Sequence, residues 1–187
     1  PRALASEVLL KSKKRRKYAA MKQFSQEYMP KKSHPYNRST VFGMKEDYDT
    51  YVVGSDMCWG LDMTDGDYSY FLDFAADDKR KFSYGSSIGK RDWTPEEKEK
   101  IGKLLARFNS IAAREEKTVE RLAPILHGKD CQVVCDPTML LTVDEWKPYI
   151  GKRLCMKDYV VLYFDTDDHK CLNDAKAYAK KHGKELL

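Results

Sequence analysis

No run in this 187-residue chain approaches the roughly 18 apolar residues that a membrane-spanning helix needs, and no signal peptide opens it. The five cysteines make an odd count. Cys131 and Cys135 stand four apart, and none of the four histidines falls at a zinc spacing from them, so neither a disulfide framework nor a metal site is expected. Thiols used this way fit a reducing, cytoplasmic compartment. A Walker-type phosphate loop is missing too: three residues separate Gly85 from Gly89 where the motif needs four, and Arg91 stands where a magnesium-binding hydroxyl belongs. There is little to suggest nucleic acid. The only dense basic run, KSKKRRK at residues 11–17, leads into Tyr18, Met21, Phe24 and Tyr28 at helical spacing and reads as the solvated face of an amphipathic helix. Asn37-Arg38-Ser39 matches the glycosylation sequon, a pattern short enough to arise by chance. An initiator methionine is absent, and Glu185-Leu186-Leu187 reads as a strand just beginning, so a fragment of a larger protein is expected.

What is present is an alternation of short apolar runs and helical stripes. Charge is high and mixed, 34 basic against 29 acidic residues, and the net of +5 modestly favours anionic substrates. Tyr51-Val52-Val53 is rich in β-branched and aromatic residues and reads as a buried strand that stops at Gly54-Ser55-Asp56. Phe82-Ser83-Tyr84 reads as a second strand, broken at Gly85-Ser86-Ser87. Thr94, Pro95 and Glu97 supply an N-cap, a first-turn proline and a capping-box carboxylate for a helix whose stripe is Ile101, Leu104, Leu105 and Phe108. Ser110 to Ala113 predicts a strand ending at Arg114. Val119, Leu122, Ala123 and Leu126 predict a helix closed by Gly128, and Gln132 to Cys135 a strand ending at Asp136-Pro137. Beyond a second capping box at Thr142 and Glu145, Tyr159 to Phe164 reads as an apolar strand and Leu172, Ala175 and Ala179 as the stripe of a last helix. Strand-helix alternation of this kind argues for an α/β fold with a parallel sheet.

Five segments carry a resemblance. A hydrophobic strand running into Gly54-Ser55-Asp56 and then Trp59 is followed in order by Tyr70-Phe71-Leu72-Asp73-Phe74, by residues 79–89 (KRKFSYGSSIG), by Arg114-Glu115 and by residues 136–141 (DPTMLL). In order and spacing, over roughly residues 48–146, they resemble the polysaccharide pyruvyl transferase family. Met57 and Cys58 after Asp56, and Gly85 where alanine is commoner, depart from the family pattern without removing a charged group. The resemblance implies a Rossmann-like parallel sheet with helices on both faces in a GT-B-like two-domain architecture. Residues 1–150 would be the amino-terminal domain, lacking its first strand, and residues 151–187 the start of the second. It also implies transfer of a pyruvyl group from phosphoenolpyruvate to sugar hydroxyls as a ketal. The donor is then a substrate, with no cofactor, and the acceptor is a sugar or lipid-linked saccharide, the latter bringing the enzyme close to a membrane surface. No nucleic-acid partner is implied. The family's donor-binding arginine and histidine belong to a carboxy-terminal segment beyond Leu187, so His169 and His182 are read as ordinary helix-surface residues.

If the strands are parallel, their ends bring small, hydroxylic and charged groups to one edge of the sheet, where open α/β sheets bind ligands. The expected site is Asp56 and Arg114 as catalytic groups, with Gly54, Ser55, Gly85, Ser86, Ser87 and Glu115 around the substrate and no metal. Arg114 offers a planar fork for phosphate or carboxylate, or else pairs with Glu115 or an aspartate. Asp56 orients or deprotonates a sugar hydroxyl, or else caps the following turn. Backbone N–H groups near Ser86 and Ser87 are candidates to cradle an anion. Asp136 reads as a turn residue, and Trp59 and Trp146 as packing residues, though tryptophan can also stack on a sugar ring. Two rival readings stand beside this one. Asp165-Thr166-Asp167 is a DxD-like pair suited to a nucleotide-sugar glycosyltransferase, for which metal-dependent turnover would be diagnostic. The other rival is a non-catalytic sugar- or nucleotide-binding module.

Overall fold

The computed structural model describes residues 2–29, 34–45, 48–153, 155–163 and 169–187, with side chains from Arg15 onward. The chain divides into two compact units, residues 1–140 and 141–187.

In the first unit, β1 (Thr50–Val53) pairs in parallel with β2 (Arg80–Ser83), setting Val53 opposite Ser83. β3 (Ile111–Ala113) pairs in parallel with β4 (Cys131–Val133), setting Ala113 opposite Val133. Isolated bridges Phe82↔Ser110 and Ser86↔Ala113 join the two ladders, and Asp56↔Ser86 extends the first beyond its strands. The result is a mixed α/β unit built from short parallel pairs. All four strands leave at the same edge, which positions the site.

α1 (Arg2–Tyr28) stops before Pro30, where the missing N–H ends the ladder. Its expected apolar stripe is not buried: Tyr18, Met21, Phe24 and Tyr28 are all exposed. α2 (Pro95–Ala106) begins as its residues dictate, with Thr94 accepting from the Glu97 N–H and Glu97 answering at the Thr94 N–H. Its Ile101 and Leu105, with Phe108 just beyond, pack into a core with Trp59, Phe71, Ile88, Trp93, Ile111 and Leu122. α3 (Glu116–Leu122) is shorter than its apolar pattern predicts, because Pro124 turns the chain into a 3-10 segment and leaves Ala123 exposed.

Two strands also differ from expectation. β1 is not sealed in the core, since only Val53 is buried and Val52 is 60 % exposed. β4 likewise exposes Val133, and both strands end their ladders with no further strand beside them among the described residues. β2 carries the reverse surprise, a fully buried lysine. Lys81 is tolerated because its ammonium donates to the Lys79 carbonyl (3.0 Å) and to the Ala76 carbonyl, and burial pushes its pKa down.

The second unit opens with α4 (Val143–Trp146), capped by Thr142 and Glu145 in a complete capping box. β5 (Tyr159–Val160) pairs in parallel with β6 (Glu185–Leu186) through α5 (His169–Lys181), whose Ala179 is buried while His169 and nearby His182 stay exposed. The apolar run from Tyr159 yields only that short strand, with Val161 and Tyr163 exposed. Phe164 and the acidic triplet Asp165-Thr166-Asp167 lie outside the described residues. Among the described residues no helix is long and apolar enough to cross a membrane.

Candidate functional site

The parallel register decides which side chains meet. Asp56 bridges Ser86 and Ser86 bridges Ala113, so the residues just past β1, β2 and β3 lie side by side. The Arg114 N–H donates to the Ser86 carbonyl (3.2 Å), fixing the arginine at this edge, and the Val134 N–H donates to the Ala113 carbonyl (2.9 Å), which brings Asp136 alongside.

Arg114 is the hub. Its Nη1 lies 3.5 Å from Asp56 Oδ1 and 3.4 Å from Asp136 Oδ2, and its Nε lies 3.5 Å from Glu115 Oε2. Nη2 makes no hydrogen bond among the described residues, and the side chain is 30 % exposed. Hydroxyls hold two of these carboxylates from behind. Ser55 Oγ donates to Asp136 Oδ2 (2.5 Å), while Ser87 Oγ and Thr118 Oγ1 each donate to Glu115 Oε1 (2.5 Å). Asp56 is held differently. Its backbone sits at φ 78°, a left-handed conformation that aspartate tolerates better than most residues, and its carbonyl accepts the Ser87 N–H (2.9 Å). Its side chain is 79 % exposed, pairs with Arg114 and accepts no backbone N–H among the described residues, so the turn-capping role is not the one it plays.

These contacts set the electrostatics. Hydrogen bonds from Ser55, and then from the backbone N–H and hydroxyl of Thr138, hold the Asp136 carboxyl well below the usual carboxylate range. Burial alone would raise Glu115, but the bonds from Ser87 and Thr118 and the neighbouring guanidinium outweigh it and leave its pKa lowered. For Arg114 burial opposes the charge, and its acidic partners win. Three carboxylates thus face one guanidinium, and the cluster is net negative. A carboxyl whose folded pKa is depressed adds stability above its unfolded pKa and loses it as pH falls through the folded value. Thermal melts should therefore stay level from neutrality down to about pH 4 and drop below it. Asp136→Asn should flatten that acid limb, and an unchanged limb would mean that the cluster does not bear on stability.

The expected anion cradle at Ser86 and Ser87 has no donors to spare. The Ser86 N–H goes to the Ala112 carbonyl, the Ser87 N–H to Asp56, the Ile88 N–H to Thr118 Oγ1 and the Gly89 N–H to Ser87 Oγ. Both serines are buried, and Ser86 Oγ donates to the Gly54 carbonyl (2.9 Å), so they lock the edge together from inside. Gly85 has φ 68° and lies so close to Ser55 that a Cβ would sit 3.3 Å from its hydroxyl oxygen, which accounts for a glycine here. Gly54 is exposed at the rim. Trp59 is fully buried, stacked on Phe71 with ring centroids 5.7 Å apart, and is a packing residue.

Sequence reasoning missed two participants. Asp136 was legible as a turn residue, and its Oδ1 does accept from Thr138; its second oxygen, on Ser55 and Arg114, depends on a pairing between distant strands. Thr118 left no signal, because a buried threonine on a short helix looks like any other. Among the described residues no group of three or more His, Cys, Asp or Glu side chains is placed to hold a metal ion.

A family model described as polysaccharide pyruvyl transferase matches residues 4–186. No curated protein and no solved structure matches the chain. The matched span takes in β1 to β6 and every member of the Arg114 cluster, well beyond the segments that first suggested the resemblance. The chain belongs to the polysaccharide pyruvyl transferase family, and is a transferase enzyme.

Proposed function

We propose that this enzyme moves the pyruvyl unit of phosphoenolpyruvate onto two hydroxyls of a saccharide, and that the Arg114 cluster serves the acceptor. In that reaction both acceptor oxygens bond to the enolpyruvyl C2, one of the two displaced hydroxyl protons goes to the methylene carbon to make a methyl group, and the C–O bond to phosphate breaks so that phosphate leaves with the other proton. The transfer is redox-neutral and calls on no resident cofactor. The observation that carries the assignment to the acceptor is the company Arg114 keeps. A guanidinium already facing Asp56, Glu115 and Asp136 has little charge left for a donor bearing both carboxylate and phosphate, whereas carboxylates suit hydroxyl protons. Asp56, exposed and with no hydrogen bond to its Oδ2 among the described residues, takes the proton of an attacking hydroxyl. Arg114 Nη2 orients the same oxygen, and Glu115, Ser55 and Ser87 keep the arginine in place.

The remaining expectations belong to the same reading. Residues 1–150 form a Rossmann-like acceptor domain and residues 151–187 begin the second domain of a GT-B-like enzyme; the two compact units support a two-part chain, with their break ten residues earlier, between residues 140 and 141. Five free cysteines support a cytoplasmic location, with a lipid-linked acceptor reached at the membrane surface. The test is phosphate release from phosphoenolpyruvate against a panel of saccharides, with Arg114→Lys alongside wild type. If the arginine positions acceptor chemistry, the lysine variant should lose about tenfold in kcat and keep its phosphoenolpyruvate KM within about twofold. A rise confined to the donor KM would return Arg114 to the donor, and no release with any saccharide would remove the pyruvyl-transfer reading.

A further inference from the structure

Beside the exit of β1 lies a cleft of about 370 Å³ that none of the chemistry above uses. We infer that this cleft is a saccharide subsite, holding one pyranose ring of the acceptor next to the Arg114 cluster; the identity of the occupant rests on the pyruvyl-transfer reading. Its volume lies at the lower end of small-molecule pockets, roughly 300–1,000 Å³. Gly54 lines the cleft, and the next two residues in the chain, Ser55 and Asp56, are members of the cluster, so the cleft begins two residues from the proposed base along the chain.

The lining has the two-sided character that a pyranose presents. Tyr70, 42 % exposed, and the outward-facing Val52 offer flat apolar surface for the C–H face of a ring. Around them stand polar groups with capacity to spare. Asp67 uses Oδ1 to accept the Ser69 N–H (2.9 Å), and its Oδ2 has no partner among the described residues. The Ser69 and Tyr70 hydroxyls likewise make no hydrogen bond there. Arg38 spends Nη1 on the Asp65 carbonyl (2.9 Å), and its other N–H groups make no hydrogen bond among the described residues. A cation and an anion on one rim give no net preference for a charged ligand, but together they supply the donors and acceptors that ring hydroxyls require. Aromatic surface beneath, with mixed donors and acceptors at the edge, selects a neutral polyhydroxylated ring over phosphate or carboxylate.

The test reads binding directly, so that it does not depend on turnover. Methyl β-galactopyranoside, methyl β-glucopyranoside and methyl α-mannopyranoside would be titrated into the ¹⁵N-labelled full chain, with uridine monophosphate as the competing class. At least one glycoside should shift the Val52, Gly54 and Ser69 amides. Ser69→Ala, which removes a hydroxyl without a partner, and Tyr70→Ala should each weaken that binding by about tenfold or more. If Tyr70→Ala disturbs the fold, Ser69→Ala alone decides. Shifts caused only by the nucleotide, or by none of the four probes, would overturn the subsite. Glycoside binding in the cleft of an enzyme that releases no phosphate from phosphoenolpyruvate would leave the subsite standing and remove the transfer reaction.

Discussion

Asp56→Asn is expected to lower turnover by about two to three orders of magnitude, roughly 3–4 kcal/mol of transition-state stabilisation, with the fold intact. Asparagine is the informative replacement for two reasons. It tolerates the φ of 78° at this position, where alanine would add backbone strain, and it matches the carboxylate in size while losing the basic oxygen. The side chain is largely exposed and pairs with Arg114, so thermal stability should change little. Loss of rate without loss of melting temperature would be the signature of a base. If the variant retains more than about a third of wild-type kcat, Asp56 does not move a proton in the slow step and its conformation has another origin.

Trp59→Ala should have the largest effect on the fold, about 3–5 kcal/mol, or on the order of 10 °C in Tm. The indole stacks on Phe71, meets Phe108 edge-on at 6.5 Å, and donates through Nε1 to the Tyr70 carbonyl (3.0 Å). Its backbone is engaged as well: the N–H donates to the Ser87 carbonyl (3.1 Å) and the carbonyl accepts from Trp93 Nε1 (3.1 Å). Truncation therefore opens a core cavity beneath the loops that carry the site. Trp59→Phe should recover most of the packing and leave the Tyr70 carbonyl without its donor, at a cost of about 1–3 kcal/mol. A melt of Trp59→Ala within about 2 °C of wild type would show that the aromatic cluster does not hold this unit together.

Local signals carried the helices well and the contacts poorly. Thr94, Pro95 and Glu97 announced α2 to the residue, because a capping box is complete within four positions. The four strand ends were visible as glycine, serine and charged residues following apolar runs. Their meeting at one edge followed from expecting a parallel sheet. What each side chain does there was out of reach. Arg114 could have been a ligand clamp or an ion-pair partner, and only the pairing of the strands, which brings residues from three separate segments together, shows it facing three carboxylates. Exposure was misjudged for a related reason. Val52 and Val133 have strand-core chemistry but sit in strands at the ends of their ladders, and Tyr18 and Met21 have helical spacing with nothing packed over them among the described residues. Periodicity states which face is apolar, not whether anything covers it.

The hydrogen bond from the Trp93 indole to the Trp59 carbonyl also gives the molecule an optical reporter of its own. Both rings are shielded from solvent, and the Trp59 backbone N–H donates to the Ser87 carbonyl, so their emission should lie to the blue and respond when a ligand loads the strand edge. The third tryptophan, Trp146, sits half-exposed in the other compact unit. Replacing it with phenylalanine would leave a fluorescence signal from the first unit alone, against which binding and unfolding there can be followed without a label.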